Sequence, residues 1–119
     1  MESLPKTIFC DIDGTLVKHL NPFKLSKKET KLELIDGSIE KLLEWEKKGY
    51  RIILTTGRKK SLKKITKKQL SEVGIFYDKL IMGIGGGERI LINDNKSDGT
   101  ITAHCFSQDR NKGIKTINI

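Results

Sequence analysis

Apolar residues along this chain fall into two patterns, short continuous runs and longer stretches with helical spacing. The short runs are bounded by charged residues, glycine or asparagine and are typical of strands in a buried sheet. Five segments have this character. The predicted strands are residues 6–10, 50–55, 79–82, 89–93 and 115–119.

Two longer stretches, residues 38–48 and 59–73, repeat apolar residues every three or four positions and therefore predict amphipathic helices. Asp36 or Ser38 can cap the start of the first helix, and each helix is followed by a glycine. Helices of this length between strands indicate right-handed crossovers and parallel strand pairing.

The expected fold is a three-layer α/β domain with a central, mostly parallel sheet. A chain of 119 residues corresponds to one domain, and its 36% hydrophobic content is near the globular average, which argues against disorder. We therefore predict a single domain over residues 1–119. Residues 17–35 fit neither pattern, and we interpret them as a loop or flap beside the end of the first strand.

The sequence also bears on the location of the protein. It contains no apolar run near 18 residues, so no membrane span is expected. Residues 1–6 lack the features of a signal peptide. The two cysteines, Cys10 and Cys105, are far apart and do not form a CxxC pair. A reduced, cytoplasmic protein is the expectation.

The net charge is +8, from 23 Lys and Arg against 15 Asp and Glu. Such a balance favours anionic partners, which include phosphorylated small molecules, nucleic acids and acidic proteins. Charge alone does not choose among them.

Polar side chains cluster directly after three of the predicted strands. Because the carboxyl ends of parallel strands meet at one edge of a sheet, these clusters are expected to lie together, where open α/β sheets bind ligands. The clusters are Asp11 and Asp13, then Thr55, Thr56, Gly57 and Arg58, then Asn93, Asp94 and Asp98.

This set of side chains suits phosphoryl chemistry. Asp11 and Asp13, with a third carboxylate from another loop, can hold a hard cation such as Mg²⁺. A carboxylate can also attack phosphorus and form an aspartyl-phosphate. Gly14 permits a sharp turn that brings backbone N–H groups towards an anion, and a threonine hydroxyl can donate to a phosphoryl oxygen.

Other interpretations of these residues are weaker. A lone DxD pair is usually a surface loop, but this one directly follows an apolar strand and precedes Gly-Thr. Neither acidic segment has the ligand pattern of an EF-hand loop. The glycine-rich residues 83–88 match no phosphate-binding motif and are interpreted as a flexible turn. His19 and His104 are isolated, and structural or surface roles are expected for them.

Three segments resemble motifs of the haloacid dehalogenase (HAD) superfamily and occur in the same order. They are Asp-Ile-Asp-Gly-Thr-Leu at 11–16, Ile-Leu-Thr-Thr-Gly-Arg at 53–58, and Leu-Ile-Asn-Asp at 91–94 with Asp98. The resemblance implies a Rossmann-like fold and a Mg²⁺-dependent phosphatase. It implies that Asp11 is the nucleophile, Asp13 the general acid/base and Thr56 a phosphate ligand.

The resemblance further implies that Mg²⁺ is bound by the Asp11 side chain, the Asp13 backbone carbonyl and Asp94. Many small members also carry a lysine in a Gly-Lys-Pro sequence, but here the comparable residues are Gly-Ile-Gly. Lys79, Lys96 or a lysine of the second helix can replace it, and Lys96 is closest to the last motif. The phosphate-binding candidates are thus Thr56, Gly57, Arg58 and Lys96. The missing lysine keeps open a non-catalytic binding or regulatory module.

The chain has no room for a large cap domain between the first two motifs. Capless members of the superfamily act on large substrates or cover their sites by forming homo-oligomers. Residues 77–80 and 92–94 also resemble small bacterial HAD proteins of capsule and polysaccharide synthesis. A sugar phosphate or similar phosphorylated metabolite is therefore the expected substrate, with a nucleic-acid 3′-end phosphatase as the alternative.

Six lysines in the second predicted helix recur at spacings of three and four. On a helix they form one positive face, which we call the lysine stripe. It is either a solvated surface or an electrostatic guide for a polyanionic substrate. The chain offers few aromatic residues for stacking on bases. The lysine stripe consists of Lys59, Lys60, Lys63, Lys64, Lys67 and Lys68.

Overall fold

The computed structural model describes residues 4–119, so residues 1–3 of the segment assessed for a signal peptide lie outside the described residues. Its elements follow the predicted order as far as the third strand. In chain order they are β1 (Thr7–Asp11), α1 (Pro22–Leu25), α2 (Ser38–Lys47), β2 (Arg51–Thr55), a short 3₁₀ helix (Lys60–Leu62), α3 (Lys63–Glu72) and β3 (Lys79–Ile81).

The three strands form one parallel sheet in the order β1-β2-β3. Cys10 pairs with Leu54, which pairs in turn with Leu80. Each crossover contains a helix, α2 between β1 and β2 and α3 between β2 and β3. The predicted α/β class with a parallel sheet and no large cap domain is confirmed.

The core lies on one face of the sheet. Ile8 and Cys10 of β1 are buried there, and Trp45 of α2 and Leu70 of α3 belong to the same core. The opposite face is open, because Phe9 of β1 is 58% exposed. β1 is therefore buried on one side only, where the sequence indicated a fully buried strand. We call this second face, formed by Phe9, Ile53 and Ile81, the open face.

Residues 17–35 form a flap whose first and last residues lie side by side. Val17 pairs with Leu34 in an antiparallel bridge, and the Lys18 N–H donates to the Glu33 carbonyl at 2.8 Å. The Ser38 hydroxyl donates to the Leu16 carbonyl at 2.8 Å, so Ser38 ties α2 to the base of the flap and does not cap the helix. The flap is thus fixed beside the carboxyl end of β1.

The predicted strands at residues 89–93 and 115–119 are wrong. Residues 88–109 instead form an irregular projection, which we call the arm, and all of them except Ala103 are exposed. Its turn is closed by the Lys96 N–H, which donates to the Thr100 carbonyl at 3.0 Å. A strand requires a neighbouring strand to bond with, and the arm has none within residues 4–119.

The chain returns to the core after the arm, where Ile114 and Ile117 are buried in the hydrophobic core. None of the helices formed by residues 4–119 combines the length and the apolar character that a membrane crossing requires.

Candidate active site

The turn after β1 places Asp11 and Asp13 at the carboxyl edge of the sheet. The N–H groups of Thr15, Leu16 and Val17 all point at the Ile12 carbonyl, at 3.2, 2.9 and 3.2 Å. Gly14 has φ +87°, a left-handed conformation that a side chain strongly disfavours. The sequence Asp-Gly-Thr therefore forms a tight loop with Asp11 at its start.

Asp11 lies in a partly desolvated position. The Thr15 hydroxyl donates to its Oδ2 at 3.2 Å. Burial raises the pKa of the Asp11 carboxyl above its ordinary value, while hydrogen bonds from the Ile12 N–H and Thr15 lower it. The charge of Asp13 adds to the rise, and the charge of Arg89 opposes it. Asp11 is thus an exposed carboxylate at the carboxyl edge, and the charges of Asp13 and Arg89 act on it in opposite directions.

Asp13 is held by Arg58 through a bidentate ion pair. Nε and Nη2 of Arg58 donate to the two carboxylate oxygens of Asp13 at 2.9 and 2.8 Å. The Arg58 side chain is only 1% exposed. In the structure the Arg58 guanidinium binds Asp13, so this side chain holds the acid of the first loop; the predicted contact of Arg58 with phosphate stays a prediction.

A buried network extends this pair to the flap. Nη1 of Arg58 donates to Thr66 Oγ1 at 3.0 Å and to Gln69 Oε1 at 2.6 Å, both on α3. The Gln69 amide donates in turn to the Leu25 carbonyl in the flap at 3.2 Å. The orientation of Asp13 therefore depends on α3 and on the flap together.

Thr56 and Gly57 follow β2 at the same edge. Thr56 is 1% exposed, and its Oγ1 accepts a hydrogen bond from the Arg58 N–H at 3.1 Å. The hydroxyl proton of Thr56 is not used in that bond and is free to donate. A Cβ on Gly57 would stand 2.6 Å from the Gly85 carbonyl oxygen, so only glycine fits there.

The glycine run after β3 is docked on this edge and is not a free turn. The Gly83 N–H donates to the Arg58 carbonyl at 2.8 Å, and the Ile84 N–H donates to the Thr56 carbonyl at 3.3 Å. The carbonyl group of Gly85 also lies close to Gly57 and leaves no room for a side chain there. The sequence interpretation missed this docking because Gly57 and Gly85 approach each other only in the folded chain.

Arg89 is a candidate site residue that the sequence interpretation missed. Its guanidinium donates to the carbonyls of Gly85, at 2.9 Å, and Gly87. The docked glycine run thus holds this cation at the edge where its charge acts on Asp11. Only lysines were predicted as replacements for the missing cation, and the signal for Arg89 in the sequence is its position directly after the glycine run.

A second arginine, Arg110, lies over the loop after β1. A Cβ on Gly14 would be 3.4 Å from Arg110 Cγ, and the neighbouring Asn111 N–H donates to the Gly14 carbonyl at 2.8 Å. Both roots of the arm, near residues 87 and 110, are therefore attached to the active edge.

The structure does not bring Asp94 or Lys96 to Asp11 and Asp13. Asp94 and Lys96 are exposed on the arm, where the Asp94 carbonyl accepts from the Thr102 hydroxyl at 2.5 Å. Asp98 stays on the arm as well, and hydrogen bonds from Thr100 lower its pKa. Within residues 4–119 no three His, Cys, Asp or Glu side chains are grouped to hold a metal ion. The expected Mg²⁺ ligands are therefore not assembled within one chain.

Cys10 has no place in this chemistry. Its thiol is buried, and burial raises its pKa to about 12, so the reactive thiolate does not form at neutral pH. Its structural role in β1 agrees with its position in the core.

The lysine stripe begins at Lys59, directly before the 3₁₀ helix, and continues along α3, and its six lysines are exposed. Lys60 lies closest to the site, since a Cβ on Gly83 would be 2.9 Å from Lys60 Cγ. Lys68 is paired with Glu72 at 3.4 Å. The stripe is a positive surface that leads to the carboxyl edge.

Comparison with protein families gives a match to the polynucleotide kinase PNKP phosphatase domain over residues 5–112. That range includes the loop after β1, the residues after β2 and the arm. Comparison with curated proteins gives no match.

Four chains of solved structures match this chain, and three of them are described here. One chain in a structure of the Pnkp1/Rnl/Hen1 RNA repair complex is 32% identical, with TM-score 0.57, over 66% of this chain and 26% of that chain. Another, from a structure of the Pnkp1/Rnl/Hen1 complex, is 31% identical, with TM-score 0.59, over 74% and 31%. This chain thus spans between a quarter and a third of their length.

The third similar structure is a crystal structure from Vibrio cholerae. It is 19% identical, with TM-score 0.53, and the alignment covers 74% of this chain and 79% of that one. At this identity the similarity supports the fold alone.

Proposed function

We propose that this chain, which belongs to the polynucleotide kinase phosphatase-domain family of the HAD superfamily, removes terminal phosphates from nucleic-acid strands. The chain is a HAD-type phosphatase, a hydrolase of phosphoric monoesters. The observation that carries the proposed substrate class is the family match over residues 5–112. The narrower resemblance to capsule proteins gains no support from these comparisons.

In the proposed reaction Asp11 is the nucleophile. One Asp11 carboxylate oxygen bonds to phosphorus as the bond from phosphorus to the leaving oxygen breaks, which gives an aspartyl-phosphate and an alcohol. Asp13 in its protonated form supplies the proton to the leaving oxygen; the carboxylate so formed, which is the form that pairs with Arg58, later takes a proton from the water that hydrolyses the intermediate. The fixed position of Asp13 on Arg58 supports this role, because proton transfer requires an oriented group.

We propose that the phosphate is held by the Thr56 hydroxyl, by N–H groups near Gly57 and by Arg89. A cation beside the transferred oxygens stabilises the charge that develops on them. Arg89 has the required charge, and its hydrogen bond to the Gly85 carbonyl holds it on the glycine run that is docked at this edge.

A Mg²⁺ requirement is proposed from the superfamily. Mg²⁺ would offset phosphate charge near Asp11 and the Asp13 carbonyl. One chain does not supply the third carboxylate, so no step is assigned to the metal here.

Arg89→Gln is expected to lower kcat/KM about ten- to a hundredfold, since a charged hydrogen bond contributes about 1.5–3 kcal/mol. Arg89→Lys keeps the charge but loses the planar fork, and should recover part of the loss. Steady-state kinetics with an aryl phosphate measures both. Arg51→Gln, at an exposed arginine of β2, is the matched control. An unchanged kcat/KM in Arg89→Gln would exclude Arg89 from the site.

The substrate class is tested by comparing phosphorylated oligonucleotides with sugar phosphates. We expect the highest kcat/KM for a 3′-phosphorylated oligonucleotide, with a KM that rises steeply with salt because phosphate contacts release counterions. Changing Lys63, Lys64, Lys67 and Lys68 together to Gln should raise that KM and flatten its salt dependence. The same variant should hydrolyse an aryl phosphate as the wild type does.

The matched control removes the same charge elsewhere. It changes four exposed lysines outside the stripe to Gln and should leave the oligonucleotide KM near the wild-type value. A preference for a sugar phosphate would support the second candidate function, a metabolite phosphatase, which the low aromatic content of 6% favours. The control lysines are Lys27, Lys28, Lys31 and Lys47.

A further inference from the structure

A buried glutamine joins the flap to the acidic loop after β1. Gln69 of α3 is 1% exposed. Its Oε1 accepts a hydrogen bond from Arg58 Nη1 at 2.6 Å, and its Nε2 donates to the Leu25 carbonyl of the flap at 3.2 Å. Arg58 in turn binds both carboxylate oxygens of Asp13, at 2.9 and 2.8 Å. The flap and Asp13 are therefore linked through two consecutive side chains.

A carboxamide suits both neighbours of this position. A guanidinium donates hydrogen bonds and accepts none, whereas a backbone carbonyl accepts and does not donate. The side chain between Arg58 and Leu25 must therefore present an acceptor to one and a donor to the other. The Gln69 amide does so in a single orientation, because the reversed amide would place N–H against N–H and oxygen against oxygen. The contact with Leu25 thus fixes which atom faces Arg58.

Helix α3 holds the Arg58 guanidinium through the nitrogen that Asp13 does not use. Nη1 carries two N–H groups and has two acceptors on α3, which are Thr66 Oγ1 at 3.0 Å and Gln69 Oε1. Both acceptors belong to buried residues. Without Gln69 a buried N–H is left unpaired, which favours another orientation of the guanidinium. Because Asp13 is bound to the same rigid group, its carboxylate moves with it.

The same contact holds the middle of the flap. Leu25 is the last residue of α1, and carbonyls at the end of a helix have no partner within that helix. A helix of four residues has too few hydrogen bonds to be stable by itself. The base of the flap is fixed independently by the bridge between Val17 and Leu34. Loss of the contact with Leu25 therefore frees the Gln69 amide to turn away from Arg58.

We infer that Gln69 is a positioning residue, which aligns Asp13 for proton transfer while the flap is docked on α3. The inference rests on the proposed function, because it takes Asp13 as the group that protonates the leaving oxygen. In that step the bond from phosphorus to the leaving oxygen breaks, its electron pair stays on the oxygen, and Asp13 gives the oxygen a proton. Misalignment of Asp13 slows this transfer and leaves the attacking Asp11 in place.

Leaving groups of different basicity distinguish misalignment of Asp13 from general damage to the site. Phenolate is a basic leaving group that requires a proton, whereas para-nitrophenolate departs with little help from an acid. The value of kcat/KM includes the step in which this bond breaks. Gln69→Met keeps the size of the side chain and removes both hydrogen bonds. It should lower kcat/KM about ten- to a hundredfold for phenyl phosphate and about threefold or less for para-nitrophenyl phosphate.

Two control variants accompany Gln69→Met. Gln108→Met makes the same chemical change at an exposed position of the arm and should leave both kcat/KM values unchanged. Leu70→Ala removes core packing next to Gln69 on α3, so it should lower the melting temperature and change both kcat/KM values by the same factor. An equal loss for both esters in Gln69→Met would show a structural role alone and would overturn the inference.

Asp13→Asn distinguishes this inference from the proposed function. It removes the acid itself and should show the same bias between the two esters more strongly. If Asp13→Asn shows the bias and Gln69→Met does not, Gln69 does not position Asp13, and the acid assignment stands. If Asp13→Asn lowers both kcat/KM values equally, the acid assignment fails and the positioning role fails with it.

The link to the flap is tested without activity by amide hydrogen exchange. Gln69→Met should speed exchange in residues 22–30, because the middle of the flap loses its contact with α3, and Gln108→Met should not. Unchanged exchange in Gln69→Met would contradict the attachment of the flap through Gln69.

Asn21→Ala tests the coupling from the flap side, at an exposed residue whose loss leaves the core intact. Asn21 Oδ1 accepts from the Phe23 N–H at 2.9 Å and caps α1, so the substitution loosens this part of the flap without touching Arg58. It should speed exchange in residues 22–30 and lower kcat/KM for phenyl phosphate more than for para-nitrophenyl phosphate. Faster exchange with equal effects on the two esters would refute the dependence of Asp13 on the flap.

Discussion

Asp11→Asn should lower kcat by a factor on the order of 10³ or more, with the protein still folded. The substitution removes the attacking oxygen and keeps the size and shape of the side chain, so the loss reports the chemical step. Hydrolysis of an aryl phosphate, with and without EDTA, is the measurement. A variant that retains wild-type kcat would refute the aspartyl-phosphate mechanism.

Stability shows whether the Asp11→Asn protein is intact. Burial raises the pKa of Asp11, so the ionised carboxylate disfavours the folded state at pH values above its titration range. Asparagine does not ionise, and in EDTA the variant should unfold at the same or a higher temperature than the wild type at about pH 8. The difference should vanish near about pH 3, where the carboxyl is protonated in both states.

Asp36→Asn is the matched control for the same chemical change at an exposed site. Asp36 pairs with Lys115 at 3.0 Å on the surface, and its side chain is 85% exposed. This variant should keep wild-type kcat and nearly wild-type stability, because exposed ion pairs contribute little.

Arg58→Met should lower the free energy of unfolding by about 3–5 kcal/mol, which is the usual cost of removing one partner of a buried ion pair. The Arg58 side chain is 1% exposed and the Asp13 side chain 17% exposed, and the substitution also leaves Thr66 and Gln69 without their donor. For a domain of this size the melting temperature should fall by roughly 10–20 °C. Denaturant unfolding and calorimetry measure both quantities.

The double variant Arg58→Met/Asp13→Asn distinguishes the cost of the unpaired carboxylate from the cost of lost packing. It removes the unpaired carboxylate, so it should be more stable than Arg58→Met alone. Arg51→Met, at an exposed arginine of β2, should change stability by less than about 0.5 kcal/mol. A small effect of Arg58→Met would mean that Arg58 does not position Asp13, and the general acid/base assignment would lose its structural support.

The local sequence pattern was sufficient to predict the helices and strands in the first two-thirds of the chain. Residues 38–48 and 59–73 predicted helices that the structure has at Ser38–Lys47 and Lys63–Glu72, because amphipathic spacing and a following glycine act within a few residues. The parallel sheet followed from the same spacing. The motifs at 11–16 and 53–58 lie at adjacent strand ends, since strand order in a parallel sheet places them there.

Prediction from the sequence pattern failed where the secondary structure of a segment depends on a neighbouring strand. Residues 89–93 have the composition of a strand, yet a strand forms only against another strand, and none is offered to them within residues 4–119. Spacing in the sequence likewise suggested that Asp94 would join Asp11 and Asp13. In the structure Asp94 is exposed on the arm, and it does not form an acidic group with Asp11 and Asp13 within residues 4–119.

The sequence by itself determined the local features of the candidate site, namely the acidic loop after β1, the Thr-Gly-Arg segment after β2 and the basic surface of α3. Those features are local, and each depends on residue type and short-range backbone geometry. The tertiary structure alone decided that Arg58 pairs with Asp13, that Arg89 is anchored on the docked glycine run, and that the arm is exposed. These depend on which groups meet across the fold, because a guanidinium binds the acceptors that packing brings to it.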